Sequence, residues 1–213
     1  TAKSRNEFTE QSLARLAQIY LKTKDYAKTT EVLKRLETEA DYPQNVTYAQ
    51  SNLMKAYYEQ KDYTNAVIYA DKVLANAKAD AQIIVARSAI QTNDEAKARV
   101  AYAKLATISK GELAAEALYY DAYFKNKDGK FEASNTAVQK LTKDYSGYQY
   151  FGAKGLLLMA KNFYGLKDSY QATYILESLI KNFMQYPDVV EESQKVLNEI
   201  KAQEAKTNSS IQN

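Results

Sequence analysis

The hexapeptide KDYTNA at Lys61–Ala66 repeats KDYAKT at Lys24–Thr29 and returns as DSYQAT at Asp168–Thr173. Looser copies are NDEAKA at Asn93–Ala98 and GKFEAS at Gly129–Ser134. A chain that rewrites one short stretch at long intervals must build the same local structure each time. The flanks recur with it. LARLAQIYL (Leu13–Leu21), QSNLMKAYY (Gln50–Tyr58) and LLLMAKNFY (Leu156–Tyr164) precede three copies and carry apolar residues at helical spacing. TEVLKRLE, VIYADKVL and YILESLI follow them and read as second helices. Asp25, Asp62 and Asp168 stand where an N-cap carboxylate is wanted. The hexapeptide is therefore the turn of an antiparallel helical hairpin plus the first turn of its second helix.

Taking Leu16, Leu53, Val85, Tyr119 and Met159 as equivalent gives intervals of 37, 32, 34 and 40 residues. Two helices per unit at that period predict a helical solenoid. Here the chain resembles the tetratricopeptide repeat family, whose first helix reads Leu-Gly/Ala-x-x-Tyr. The matching stretches are Leu16-Ala17-x-x-Tyr20, Leu53-Met54-x-x-Tyr57, Val85-Ala86-x-x-Ala89, Tyr119-Tyr120-x-x-Tyr123 and Met159-Ala160-x-x-Phe163. The second-helix triples are Thr29/Leu33/Leu36, Ala66/Ala70/Val73, Ala98/Tyr102/Leu105, Ser134/Val138/Leu141 and Ala172/Leu176/Leu179. Met54 and Tyr120 are large where the family is small, and Ala89 replaces a tyrosine. The fourth unit shows two extra residues in its turn, KNKDGKF, and reads in two registers. The resemblance implies an all-α, right-handed α-α superhelix of about five helical hairpins plus a C-terminal helix.

The array is expected over 1–187, with repeats near 10–43, 47–79, 80–109, 113–147 and 152–187. A capping helix is expected over 188–206, with Val189, Val190, Val196, Leu197 and Ile200 as its apolar stripe, and a disordered tail over 207–213. Thr1–Asn6 reads as a frayed start. The chain begins with Thr and shows no signal peptide, so it reads as a piece of something longer.

Composition narrows the chemistry. Only 2 prolines and 6 glycines argue against a many-stranded β protein. Histidine and cysteine are absent, which removes Ser-His-Asp triads, Cys-His nucleophiles, disulfides and nearly every zinc site. No phosphate-cradling glycine loop occurs, so neither an enzyme nor a cofactor is expected. The net charge of +3, with no basic patch, argues against nucleic acid. No apolar run approaches the roughly 20 residues of a membrane span. Nineteen tyrosines against 6 phenylalanines and no tryptophan suggest rings that pack while their hydroxyls reach water or a partner.

The resemblance also implies a site. In that family the first helices line a concave face, and the residue after the Tyr position points partly into it. Those residues here are Leu21, Tyr58, Ile90, Phe124 and Tyr164, with exposed rings expected at Tyr58, Phe124 and Tyr164. Lys22, Lys55, Arg87, Lys125 and Lys161 would edge them with cations. The expected partner is a protein or peptide with hydrophobic anchors and acidic flanks. The alternative is a structural spacer or self-association module with no groove ligand. Composition and units such as AEALYYDAYF are similar to repeats of periplasmic proteins. That likeness implies the periplasm or cell envelope and leaves the cytoplasm open.

Overall fold

The computed structural model describes residues 8–75 and 78–211, with side chains through residue 206. Among them are eleven α-helices and no strand. α1 (Phe8–Lys22) and α2 (Tyr26–Glu39) form the first hairpin, α3 (Pro43–Glu59) and α4 (Tyr63–Val73) the second, and α5 (Lys78–Gln91) and α6 (Glu95–Ile108) the third. α7 (Gly111–Lys127) pairs with α8 (Phe131–Asp144), α9 (Gln149–Gly165) pairs with α10 (Ser169–Asn182), and α11 (Pro187–Ile211) follows.

Every hairpin turns in three residues, and the turn explains the recurring hexapeptide. Its middle residue is left-handed: Lys24 (φ 57°), Lys61 (62°), Asn93 (57°), Gly129 (72°) and Lys167 (66°). The Asp25 N–H donates to the Tyr20 carbonyl at 2.9 Å and the Lys24 N–H to the Leu21 carbonyl at 3.1 Å. This double bond pattern satisfies the last carbonyls of the first helix, and it recurs in all five turns. The next residue caps the second helix. Asp25, Asp62 and Asp168 accept from the backbone N–H of Lys28, Asn65 and Gln171 at 3.1, 3.1 and 3.0 Å. Asp94 does the same for Lys97 at 3.0 Å. In the fourth hairpin Lys130 occupies the cap and makes no side-chain capping bond.

The fourth unit has no extra turn residues, which corrects its register. α7 stays helical to Lys127, and Gly129 fills the left-handed slot held elsewhere by Lys or Asn. Counting back from that slot places Ala122, not Tyr120, beside Ala17, Met54, Ala86 and Ala160. All five are fully buried. The Ser134 hydroxyl donates to the Ala122 carbonyl at 2.8 Å, so the helices meet closely at this pair. The second-helix triples keep their expected register, and none is more than 2% exposed.

The chain divides into two compact units, Thr1–Ile108 and Ser109–Asn213. The first is cored by Leu13, Leu33, Leu36, Leu53, Met54 and Val73. The second holds a large cluster on Leu176, Leu179, Leu197 and Ile200 and smaller ones around Val138 and Phe151. α9 presents a small residue to α8, the second helix before it. At Gly155 an added Cβ would lie 3.1 Å from Leu141 and 3.2 Å from Val138, and α11 has Ser193 at the same step. Val189, Val196, Leu197 and Ile200 of α11 are buried, while Val190 is half-buried and Asn198 and Lys201 are exposed. α11 continues to Ile211, through most of the stretch expected as a tail. The expected frayed start, and residues 212–213, lie outside the described residues.

Candidate interaction surface

In the first unit, α1, α3 and α5 carry six of the expected contact residues. Leu21 is half-buried and Lys22 exposed; both line a shallow hollow of about 720 Å³ with Arg15, Gln18 and Ile19. Tyr58 is half-buried against the core and meets Tyr63 edge to face at 5.7 Å. Arg87 and Ile90 are half-buried. Lys55 is not a free cation: its ammonium lies 3.1 Å from Asp80 on the next first helix.

In the second unit the expectation fails at Phe124. Its ring is 6% exposed, packed beside Tyr120 and Tyr123 at centroid distances of 6.0 and 5.5 Å. The corrected register gives the reason: the step after the Tyr position on α7 is Asn126. The residue after the Tyr position is thus apolar in four hairpins, at Leu21, Tyr58, Ile90 and Tyr164, and polar in the fourth, at Asn126. The Asn126 amide donates to Asn162 Oδ1 at 2.7 Å, and Asn162 donates to Ser134 and Asn135 at 2.8 and 2.7 Å. Tyr164 is half-buried against the large cluster. Lys125 pairs with Asp121 along α7 at 2.7 Å, and Lys161 reaches Glu192 of α11 at 2.8 Å. That hydrogen bond from Lys161 holds the Glu192 carboxyl below its ordinary range. The cationic edge expected from the sequence is therefore neutralised at Lys55, Lys125 and Lys161.

The expectation missed Tyr119, Tyr123, Tyr150 and Lys154. Lys154 on α9 sits 4.8 Å from the Tyr119 ring centre and 5.4 Å from that of Tyr150, within cation–π range. Burial pulls its ammonium below the usual lysine range, and Asp188 and Glu116 partly restore it. The Tyr150 hydroxyl donates to Asp188 at 2.8 Å; burial first, then that bond, pushes it up to about 12. The rings of Tyr119, Tyr120, Tyr123, Phe124, Tyr150, Phe151 and Tyr186 form one chain of neighbours with centroids 5.1 to 6.2 Å apart. The signal was present in YYDAYF, but only the correct register puts Tyr123 at the step held by Lys55 and Lys161. Among the described residues no group of three potential metal ligands converges, and no helix is long and apolar enough to cross a membrane.

No family model and no curated protein matches the sequence. Solved structures do. A tetratricopeptide repeat protein from Parabacteroides merdae is similar over 96% of this chain and 78% of its own, at 16% identity and a TM-score of 0.75. The protein MamA is similar over 86% of this chain and 96% of its own, at 12% identity and a TM-score of 0.66. The chain has the all-α fold of tetratricopeptide repeat structures.

Proposed function

We propose that this chain is a non-catalytic interaction scaffold that holds a peptide or protein segment against α7 and α9, the first helices of the two hairpins of its second unit. The observation that carries this reading is the aromatic chain on α7 and α9. Half-buried Tyr120, Tyr123 and Tyr150 anchor apolar ring surface in the fold while part of each ring stays accessible. Tyrosines held in this way lose little entropy on binding and supply both apolar area and a hydroxyl. Because Lys55, Lys125 and Lys161 already hold carboxylates, aromatic contact rather than acidic flanks sets partner choice. α11, apolar toward α9 and α10 and exposed and polar at Gln194 and Asn198, acts as a capping helix. The envelope location rests on sequence resemblance alone, and fractionation of native cells checks it.

A photo-crosslinking residue placed singly at Tyr120, Tyr123 or Tyr164 tests the scaffold reading. The control is Tyr170 on α10, which is 78% exposed. The expected outcome is one common partner captured from the first three positions and not from Tyr170. Capture that is equal at Tyr170, or absent from all three, overturns it.

A second reading, self-association without a groove ligand, is favoured by one face of α1. Leu16 and Ile19 are 37% and 57% exposed at steps where Leu53, Ala56, Met159 and Asn162 are buried. Light scattering across a concentration series separates the two readings. Growth in mass that Ile19→Lys abolishes supports self-association.

A further inference from the structure

A second hollow lies within the second unit and has a cavity volume of about 370 Å³. Two of its sides are aromatic helix ends. Tyr145 and Phe183 are the C-caps of α8 and α10, with nearly the same backbone angles (φ −126°, ψ 35° and φ −123°, ψ 34°), and both rings are half-buried. The first hairpin has Ala40 at this cap, so the aromatic pair is a property of the second unit. The opening is set with Ser146, Gln149 and Gln185, whose side chains are exposed. No residue lining the hollow carries a charge.

Gly152 lies on the α9 side of the hollow. A glycine inside a helix is less favourable than alanine, so it calls for a reason. Gly155 and Gly165 have one: an added Cβ would meet Val138 and Leu141, or the Phe131 ring. At Gly152 an added Cβ would meet nothing within 4 Å. Packing does not require this glycine, and its effect is to leave the cavity open. The same step is Val46 on α3 and Ala114 on α7.

We propose that this hollow is a binding site for a neutral sugar unit. The two rings would stack on the C–H faces of a pyranose, and the amides of Gln149 and Gln185 offer paired donors and acceptors for its hydroxyls. The volume falls within the range of about 300–1,000 Å³ typical of small-molecule sites. An anionic ligand is disfavoured because no cation lines the wall to offset its desolvation.

The test is titration of the intact chain with glucose, galactose, N-acetylglucosamine and the disaccharides cellobiose, lactose and chitobiose. Amide NMR shifts and calorimetry are the readouts. At least one probe is expected to saturate with a dissociation constant on the order of 1 mM or tighter, shifting Ser146, Gln149 and Gly152. Gly152→Leu, which occupies the hollow and favours the helix, is expected to weaken it at least tenfold. The double variant Gln149→Ala/Gln185→Ala, altered only at exposed positions, should do likewise with an unchanged circular dichroism spectrum. Glucuronate should bind at least tenfold more weakly than glucose. Saturation by none of the sugars, saturation surviving Gly152→Leu, or saturation by a blocked Gln-Gln dipeptide in place of any sugar overturns the assignment.

Discussion

At the scale of single residues, the hairpin turns place a backbone demand on side chains ill suited to it. An L-residue in the left-handed region costs roughly 1–2 kcal/mol, and Lys24, Lys61, Asn93 and Lys167 all sit there. Lys61→Gly is therefore expected to stabilise the fold by up to about 1 kcal/mol, after the larger entropy of glycine in the unfolded chain is subtracted. Gly129→Ala should cost about the same; urea denaturation midpoints measure both. A second residue-scale expectation concerns Glu37, which accepts from Gln50, Tyr69 and Lys72 at 3.0, 2.8 and 2.8 Å. Burial pushes its carboxyl up, and those three bonds together outweigh it, leaving the acid below its ordinary range. A depressed carboxylate contributes stability above its unfolded value, about 4.3 for Glu, and loses it as pH falls through the folded value. The stability difference between the wild type and Glu37→Gln should shrink when denaturation is repeated at about pH 3 instead of about pH 6.

At the scale of elements, the sequence was most legible where burial is complete. Every second-helix triple is buried, and each of these helices packs against the first helix of its own hairpin, so its apolar period has one interpretation. Ala172→Phe and Ala98→Phe should each lower the melting temperature by several degrees, since both sites are fully closed and overpacking costs roughly 1–3 kcal/mol. A calorimetric scan unchanged by either would contradict the close approach seen at Ser134 and Ala122. The first helices were harder to read. Their outer steps alternate between core and surface according to which neighbour each one meets, so a shift of two residues moves a ring from the face to the interior. That is what happened at Phe124. The anchor that fixes the count is a backbone angle, and Lys, Asn and Gly fill that slot alike. The hexapeptide alignment itself sets Gly129 beside Lys61; what misplaces Phe124 is pairing Tyr119 rather than Asp121 with Leu53, because Tyr119-Tyr120-x-x-Tyr123 fits the motif better than Asp121-Ala122-x-x-Lys125. Tyr119 and Tyr123 are assigned to the wrong steps for the same reason, whereas Lys154 stands on a correctly registered helix at a step outside the motif.

At the scale of the whole molecule, each of the two units contains its own closed core. In repeat proteins stability is approximately a sum over units and their nearest neighbours. A fragment spanning 109–213 is therefore expected to remain helical and to unfold cooperatively by circular dichroism and urea. A fragment that is unstructured while the full chain folds would refute independent coring of the second unit. The aromatic chain lies wholly within α7, α9 and the segment leading into α11, so this fragment should also retain whatever partner the longer chain captures through Tyr123.

Because the five turns share one length and one set of backbone bonds, the corners within the hairpins are interchangeable. Deleting residues 25–61 would fuse Lys24 directly to Asp62 and restore the same Lys-Asp corner, one hairpin shorter. Unequal crossing-over at such corners lets a gene gain or lose whole hairpins without inventing a new junction, so the array can be recut in length while each seam stays native.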